Sequence, residues 1–240
     1  MSSRLTELSL VLPVHNEAEN IRWLLPHLAT TLPPLADRSE IIIVDDGSSD
    51  GSGELATELA AELGLDLRIV RHAQKSGYGA TVGDGLRAAS LAFVAFTDAD
   101  GQFEVADFAQ LVPLLDDADL VGGWREERQD AAMRSVVSWV FNTLILILYR
   151  LPYRDIDCAM KVMRREVLES VELRARSALI NTELYYKARY AGWRIAQRPV
   201  PHHPRRAGRR SGARPRAILR AIKELIMFRW TMRRSLPKRI

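Results

Sequence analysis

The residues best placed to do chemistry in this chain are two carboxylates, Asp98 and Asp100, which close the short apolar run Phe93 to Phe96. In an extended segment residues i and i+2 face the same side, so both side chains could aim oxygens at one hard cation. Gly101 lets the chain turn away at once, and Gln102 offers a further oxygen or amide to the same place. The ordinary alternative is a solvated Asp-Ala-Asp-Gly turn. Two more polar clusters follow aliphatic runs: His15-Asn16-Glu17 and Asp45-Asp46-Gly47-Ser48-Ser49-Asp50-Gly51. The glycines of Lys75-Ser76-Gly77-Tyr78-Gly79-Ala80 resemble a phosphate loop but match neither G-x-G-x-x-G nor a Walker pattern, so close packing and a flexible turn are the plainer expectation. Finally, the Pro201 to Gly212 stretch, with Arg205, Arg206, Arg209 and Arg210, cannot bury its charges and is expected to be a loop that receives an anion.

Positioning these groups requires strands that end together. Leu8 to Val14 reads as a strand, followed by a helix through Leu28 with Asn16 as N-cap and Glu19 three residues on, a capping-box pattern. Thr30 to Asp37 reads as a proline-containing connection. Glu40 to Val44 and Leu67 to Val70 are further strands, with helices at 53–63 and 81–89. Strands alternating with helices predict an α/β fold with a mainly parallel sheet and right-handed crossovers. In such a sheet the turns at 15–17, 45–50 and 98–102 all fall on the carboxyl edge, where ligands collect. Beyond them the pattern predicts a helix at 105–115, a strand at 119–122, helices at 165–171 and 181–191, and an extended run at 193–199.

Composition narrows the classes. A 240-residue chain with 47% hydrophobic residues can build one large core, and its single cysteine, Cys158, excludes an internal disulfide framework. The first apolar run is too brief for a secretory segment, which leads us to expect a cytoplasmic protein. The net charge of +4 hides an asymmetry: residues 198–240 carry 14 Lys or Arg against one acid, Glu224. Such a basic segment predicts an anionic partner, namely a membrane surface, a phosphorylated lipid or nucleic acid. Val136 to Tyr149 is nearly all apolar but short of the about 20 residues that span a bilayer, so it is a buried core helix or an interfacial one. The 216–234 segment reads as an amphipathic helix. Nucleic-acid binding fits poorly, because aromatic residues enter the basic tail only at Phe228 and Trp230 and three acidic strand ends go unexplained.

Leu12 to Glu17, Ile43 to Gly51 and Asp98 to Gln102 together resemble the family 2 glycosyltransferases with a GT-A, Rossmann-like fold. Arg154 to Lys161, Ile180 to Leu184 and His203 to Gly208 further resemble the branch that contains dolichol-phosphate mannose synthase and bacterial polyprenyl-phosphate sugar transferases. The resemblance covers almost the whole chain. It implies inverting, metal-dependent transfer of a sugar from a nucleotide-sugar donor to a dolichyl- or undecaprenyl-type phosphate, with a non-lipid acceptor as the alternative. It also implies a catalytic domain over 1–200, including the apolar 134–150 helix, and a basic acceptor loop with a C-terminal interfacial helix over 201–240. Carried onto matching positions, it implies a nucleotide pocket of Pro13, Val14, Glu17, Asp45, Asp46 and Lys75. Asp98, Asp100 and Gln102 would hold Mg²⁺ or Mn²⁺, and Arg125, Arg134, Arg205 and Ser211 would receive the acceptor phosphate. Catalysis would then rest on Asp98, Asp100, Arg125 and Arg205, with no catalytic histidine, at the cytoplasmic face of a membrane. Where the eukaryotic pattern has Gly-Glu-Ser-Lys, this chain has Gly208-Arg209-Arg210-Ser211, so mannose is not implied as the sugar.

Overall fold

A computed structural model describes residues 4–126, 143–207 and 224–230. Among the described residues seven strands form one sheet: β1 (Leu5–Val14), β2 (Ala36–Asp45), β3 (Leu67–Arg71), β4 (Phe93–Phe96), β5 (Leu120–Arg125), β6 (Lys161–Arg164) and β7 (Ile195–Val200). Their order across the sheet is β3-β2-β1-β4-β6-β5-β7. All neighbours are parallel except β6, which runs antiparallel to both β4 and β5. The centre of the sheet is covered on both faces, which is why Leu10, Val11, Leu12, Ile42, Ile43 and Val44 form near-continuous apolar runs and are almost completely buried.

The helices are α1 (Ala18–Leu35), α2 (Ser52–Leu63), α3 (Tyr78–Ala88), α4 (Phe108–Leu111), α5 (143–149), α6 (Arg165–Glu169), α7 (Leu179–Ala191) and α8 (224–230). The expected single helix over 105–115 is instead a short α4 flanked by tighter 3-10 turns at Val105–Asp107 and Val112–Asp116.

Three local expectations are corrected. The 30–37 connection does not exist: α1 runs to Leu35 through Pro26, Pro33 and Pro34 and passes directly into β2. Each interior proline costs a helix about 3 kcal/mol. Ile21, Leu24, Leu25, Leu28, Leu32 and Leu35 nevertheless keep helical spacing and are buried, so the core holds the helix through them. Asn16 does not cap α1 either. It sits at φ 57 with its Oδ1 accepting from the Ser49 amide, while the Ala18 amide is bonded 3.0 Å away by Asp50 Oδ2, from the next strand end. Lastly, the 155–161 motif continues into strand β6, which the periodicity did not reveal. Four residues are too few to show a period, and pairing between β4 and β5 is what extends them.

Candidate active site

The turns after β1, β2 and β4 meet at the carboxyl edge, as the parallel pairing of these strands requires. They enclose an open cleft of about 600 Å³, lined by Pro13, Val14, His15, Asn16, Glu17, Asp46, Lys75, Tyr78, Thr81, Asp98, Ala99, Asp100 and Arg205. The two lobes of its wall are stitched by short bonds between turns. The Asn16 amide donates to Ser48 Oγ at 2.9 Å and the Glu17 amide to Ser52 Oγ at 2.9 Å.

Asp46 is the organiser of one end. Its Oδ1 accepts from the Ser76 amide at 2.7 Å and its Oδ2 from the Gly77 amide at 3.0 Å, which shapes the turn that carries Lys75 into the cleft. Burial acts to raise the Asp46 pKa, but these bonds and one to His72 outweigh it and hold the carboxyl below its ordinary range. The glycines here serve close approach. The Gly79 amide donates to the Arg176 carbonyl at 3.1 Å, and a methyl at Gly79 would overlap the backbone of 175–177.

At the other end, burial first and the neighbouring Asp100 second push Asp98 up to about 7, against the pull of Lys161 and a hydrogen bond from Tyr78. Below it Lys161 is fully buried, its Nζ donating to the Ile156 carbonyl at 3.0 Å and to that of Cys158, and burial lowers it to about 8. A carboxylate whose proton affinity is raised by a second carboxylate beside it fits a divalent cation, whose charge removes that repulsion. Among the described residues no three His, Cys, Asp or Glu side chains form a complete metal cage. A Mg²⁺-type ion is commonly held by one or two carboxylates with the remaining positions filled by phosphate and water, so the pair suffices.

Arg205 enters from the segment after β7. Its guanidinium pairs with Glu17 Oε1 and approaches Asp100 Oδ2 at 3.5 Å, while its Nε donates to the Ala207 carbonyl at 2.7 Å. The segment is pinned to the β4 turn, the His203 amide donating to the Gln102 carbonyl at 2.9 Å.

Of the residues expected in the site, Pro13, Val14, Glu17, Asp46, Lys75, Asp98, Asp100 and Arg205 line one cleft. Asp45, Gln102 and Arg125 are not among its lining. Asp45 is buried and accepts from the Ser48 amide at 2.8 Å. The Gln102 amide group turns toward the His202 ring at 3.2 Å. Arg125 makes a two-pronged pair with Asp155, both contacts at 2.7 Å, and so braces the end of β5. Arg134 and Ser211, with most of the 134–150 helix and the 216–234 segment, lie outside the described residues. The reading of the sequence missed Tyr78, Thr81, Lys161 and His72 as site or supporting residues. Tyr78 had a signal in its flanking glycines, whereas Lys161 and His72 gain their roles only from distant partners.

A sequence profile described as "Glycosyl transferase family 2" matches residues 9–172. The chain belongs to the family 2 glycosyltransferases. This family membership makes it an enzyme of sugar transfer, and its sheet with flanking helices is of the GT-A type. It is 31% identical over 209 residues to dodecaprenyl-phosphate galacturonate synthase of Rhizobium johnstonii, covering 84% of this chain and 60% of that protein. It is 30% identical over 171 residues to undecaprenyl-phosphate 4-deoxy-4-formamido-L-arabinose transferase of Yersinia enterocolitica, covering 71% of this chain and 52% of that one. The chain thus spans about half to three fifths of the length of these two relatives. Among solved structures it resembles glucosyl-3-phosphoglycerate synthase of Mycobacterium tuberculosis in complex with Mn²⁺, UDP-glucose and phosphoglyceric acid. There the TM-score is 0.74 at 20% identity, over 97% of this chain and 81% of the other, a likeness of fold.

Proposed function

We propose that this glycosyltransferase moves a sugar from a nucleoside diphosphate to a polyprenyl phosphate, with inversion at the anomeric carbon and dependence on Mg²⁺ or Mn²⁺. The observation that carries the reading is Arg205, held on a basic segment inside a cleft whose other wall is the Asp98–Asp100 pair. One cleft thereby offers a seat for a metal-bound diphosphate and a guanidinium for a second phosphate. The names of the two polyprenyl-phosphate relatives point to the same acceptor class.

Asp98 and Asp100 would hold the ion, which when bound neutralises the charge that develops on the departing diphosphate. Asp46, through the turn it shapes, together with Pro13, Val14 and Lys75, would seat the nucleotide. Arg205 exchanges its internal carboxylate partners for the acceptor phosphate, to which a guanidinium can bond with two parallel N–H groups. That phosphate is already anionic near neutral pH, so its oxygen attacks the anomeric carbon without first losing a proton to a strong base. In-line attack breaks the bond to the diphosphate and inverts the configuration.

A lipid acceptor also calls for a surface that meets the bilayer. Tyr149 on α5 donates to the Leu225 carbonyl of α8, and Arg229 Nε donates to the Leu148 carbonyl at 2.7 Å, so the two helices dock on each other. They leave Leu146, Ile147, Ile226, Met227 and Trp230 exposed on their outer side. No helix among the described residues is long and apolar enough to cross a membrane. We therefore assign this face to peripheral contact with the membrane, the aromatic and apolar groups entering the interfacial layer.

The test offers a panel of UDP- and GDP-sugars with Mn²⁺ or Mg²⁺, and as acceptors a short polyprenyl phosphate or phosphoglyceric acid. Transfer to the lipid phosphate that vanishes on chelation and in Asp100→Ala supports the reading, as does co-sedimentation of the protein with anionic vesicles. Transfer to phosphoglyceric acid alone would replace the lipid acceptor with a soluble one.

A further inference from the structure

His72, the residue after β3, lies directly behind the nucleotide end of the cleft and has no part in the reaction steps given above. Its Nδ1 is 2.7 Å from Asp46 Oδ1 and its Nε2 is 2.8 Å from Asp84 Oδ2 on α3. Its backbone is also fixed, the amide donating to the Asp45 carbonyl at 2.9 Å. The carboxylate on its Nδ1 side is the same Asp46 that accepts the Ser76 and Gly77 amides. The packing there is tight: a methyl at Gly47, whose φ is 69, would lie 3.0 Å from the backbone of Gln74 and Lys75. The turn that brings Lys75 to the cleft is therefore set by where Asp46 points.

A neutral imidazole has one N–H and one lone pair, so it can satisfy only one of two flanking carboxylates and must turn its lone pair on the other. Imidazolium donates to both. The charged groups facing His72 are Asp46 at the end of β2 and Asp84 on α3, with Arg87 paired to Asp84 from the far side.

We infer that His72 is a positioning residue for the donor: as imidazolium it clamps Asp46 to Asp84 and so holds the Lys75 to Gly77 turn in the shape that seats the nucleotide. This rests on the assignment of the cleft to a nucleotide-sugar donor. The two carboxylates outweigh burial and raise the pKa of His72 above its ordinary value. The sign follows from that direction. The clamp is fully present below the unfolded-state value and is lost as pH rises through the higher folded-state value.

The experiment compares the full chain with His72→Gln, using UDP with Mn²⁺ as the probe, by calorimetric titration from about pH 6 to about pH 9. Glutamine keeps one donor and loses the charge. Both proteins share the titration of UDP itself, so the ratio of their affinities isolates His72. The wild type should bind about threefold to tenfold more tightly at the acid end, the worth of one charge-assisted bond transmitted in part, and the ratio should approach one at the alkaline end. Amide exchange at Ser76 and Gly77, read without any ligand, should quicken in the variant at low pH only. The donor KM should change more than kcat.

A ratio that does not vary with pH marks His72 as an ordinary packing residue and overturns the inference alone, as does unchanged exchange at Ser76 and Gly77. If the wild type binds neither UDP nor GDP at any pH, the donor assignment falls and takes this role of the clamp with it.

Discussion

Replacing Lys187 by methionine should destabilise the protein severely, although Lys187 is outside the cleft. Lys187 and Glu183 lie one turn apart on α7, both essentially without solvent exposure, with Nζ to Oε1 at 2.7 Å. Glu183 Oε2 also accepts the amides of Arg174 and Ala175, each at 2.8 Å, and Lys187 donates to the Glu172 carbonyl. The pair thus ties the 172–175 loop to α7. Removing the ammonium leaves a carboxylate in the core with only two amide donors, and breaking a buried pair in this way costs about 3–5 kcal/mol. For a chain of this length each kcal/mol lowers Tm by about 2–4 °C, so a fall of about 6–20 °C is expected. Thermal unfolding followed by circular dichroism reads it directly. The double variant Glu183→Gln with Lys187→Met should recover much of the loss, because no unpaired charge remains. A loss below about 1 kcal/mol in the single variant, or no recovery in the double, would refute the claim that this pair is dry and coupled.

Two further perturbations probe the cleft. Arg205→Ala should raise the KM for the acceptor phosphate by at least about tenfold, the scale of a charge-assisted bond, while donor affinity changes little; equal losses on both substrates, measured by steady-state kinetics, would contradict its role. Gly79→Ala puts a methyl against the 175–177 backbone and should cost about 1–3 kcal/mol, with a weaker donor KM, since the turn and the 176 carbonyl must part; chemical denaturation together with donor kinetics checks both.

Much of the site was legible because the sheet is parallel where it matters. Aliphatic runs at 8–14, 40–44 and 93–96 report strands, and alternation with helices makes them run the same way, so their polar ends share an edge. Asp98, Asp100 and the turn from Asp45 to Asp50 could be picked out on that basis, whereas the choice of Asp46 over Asp45 came from the cleft. Other features depended on partners far along the chain. Lys161 reads as the end of a loop motif until β6 inserts between β4 and β5. The contact of the Gln102 amide with His202, 100 positions away, has no local signal. Asn16 has the spacing of a cap, but Asp50 reaches the Ala18 amide first.

By itself, then, the sequence determined the fold class, the order of the first four strands and the three helices between them, and the three strand ends that could carry a nucleotide and a metal. It could do so because burial imposes a period on residues that are neighbours in the chain. Only the tertiary structure decided that α1 continues through three prolines, that Arg125 is occupied by Asp155, and that Arg205 crosses 188 positions to meet Glu17. The physical reason is common to these cases. A charged or hydrogen-bonding side chain takes whichever partner the packed core brings within about 3 Å, and that partner's distance along the chain leaves no trace in local pattern.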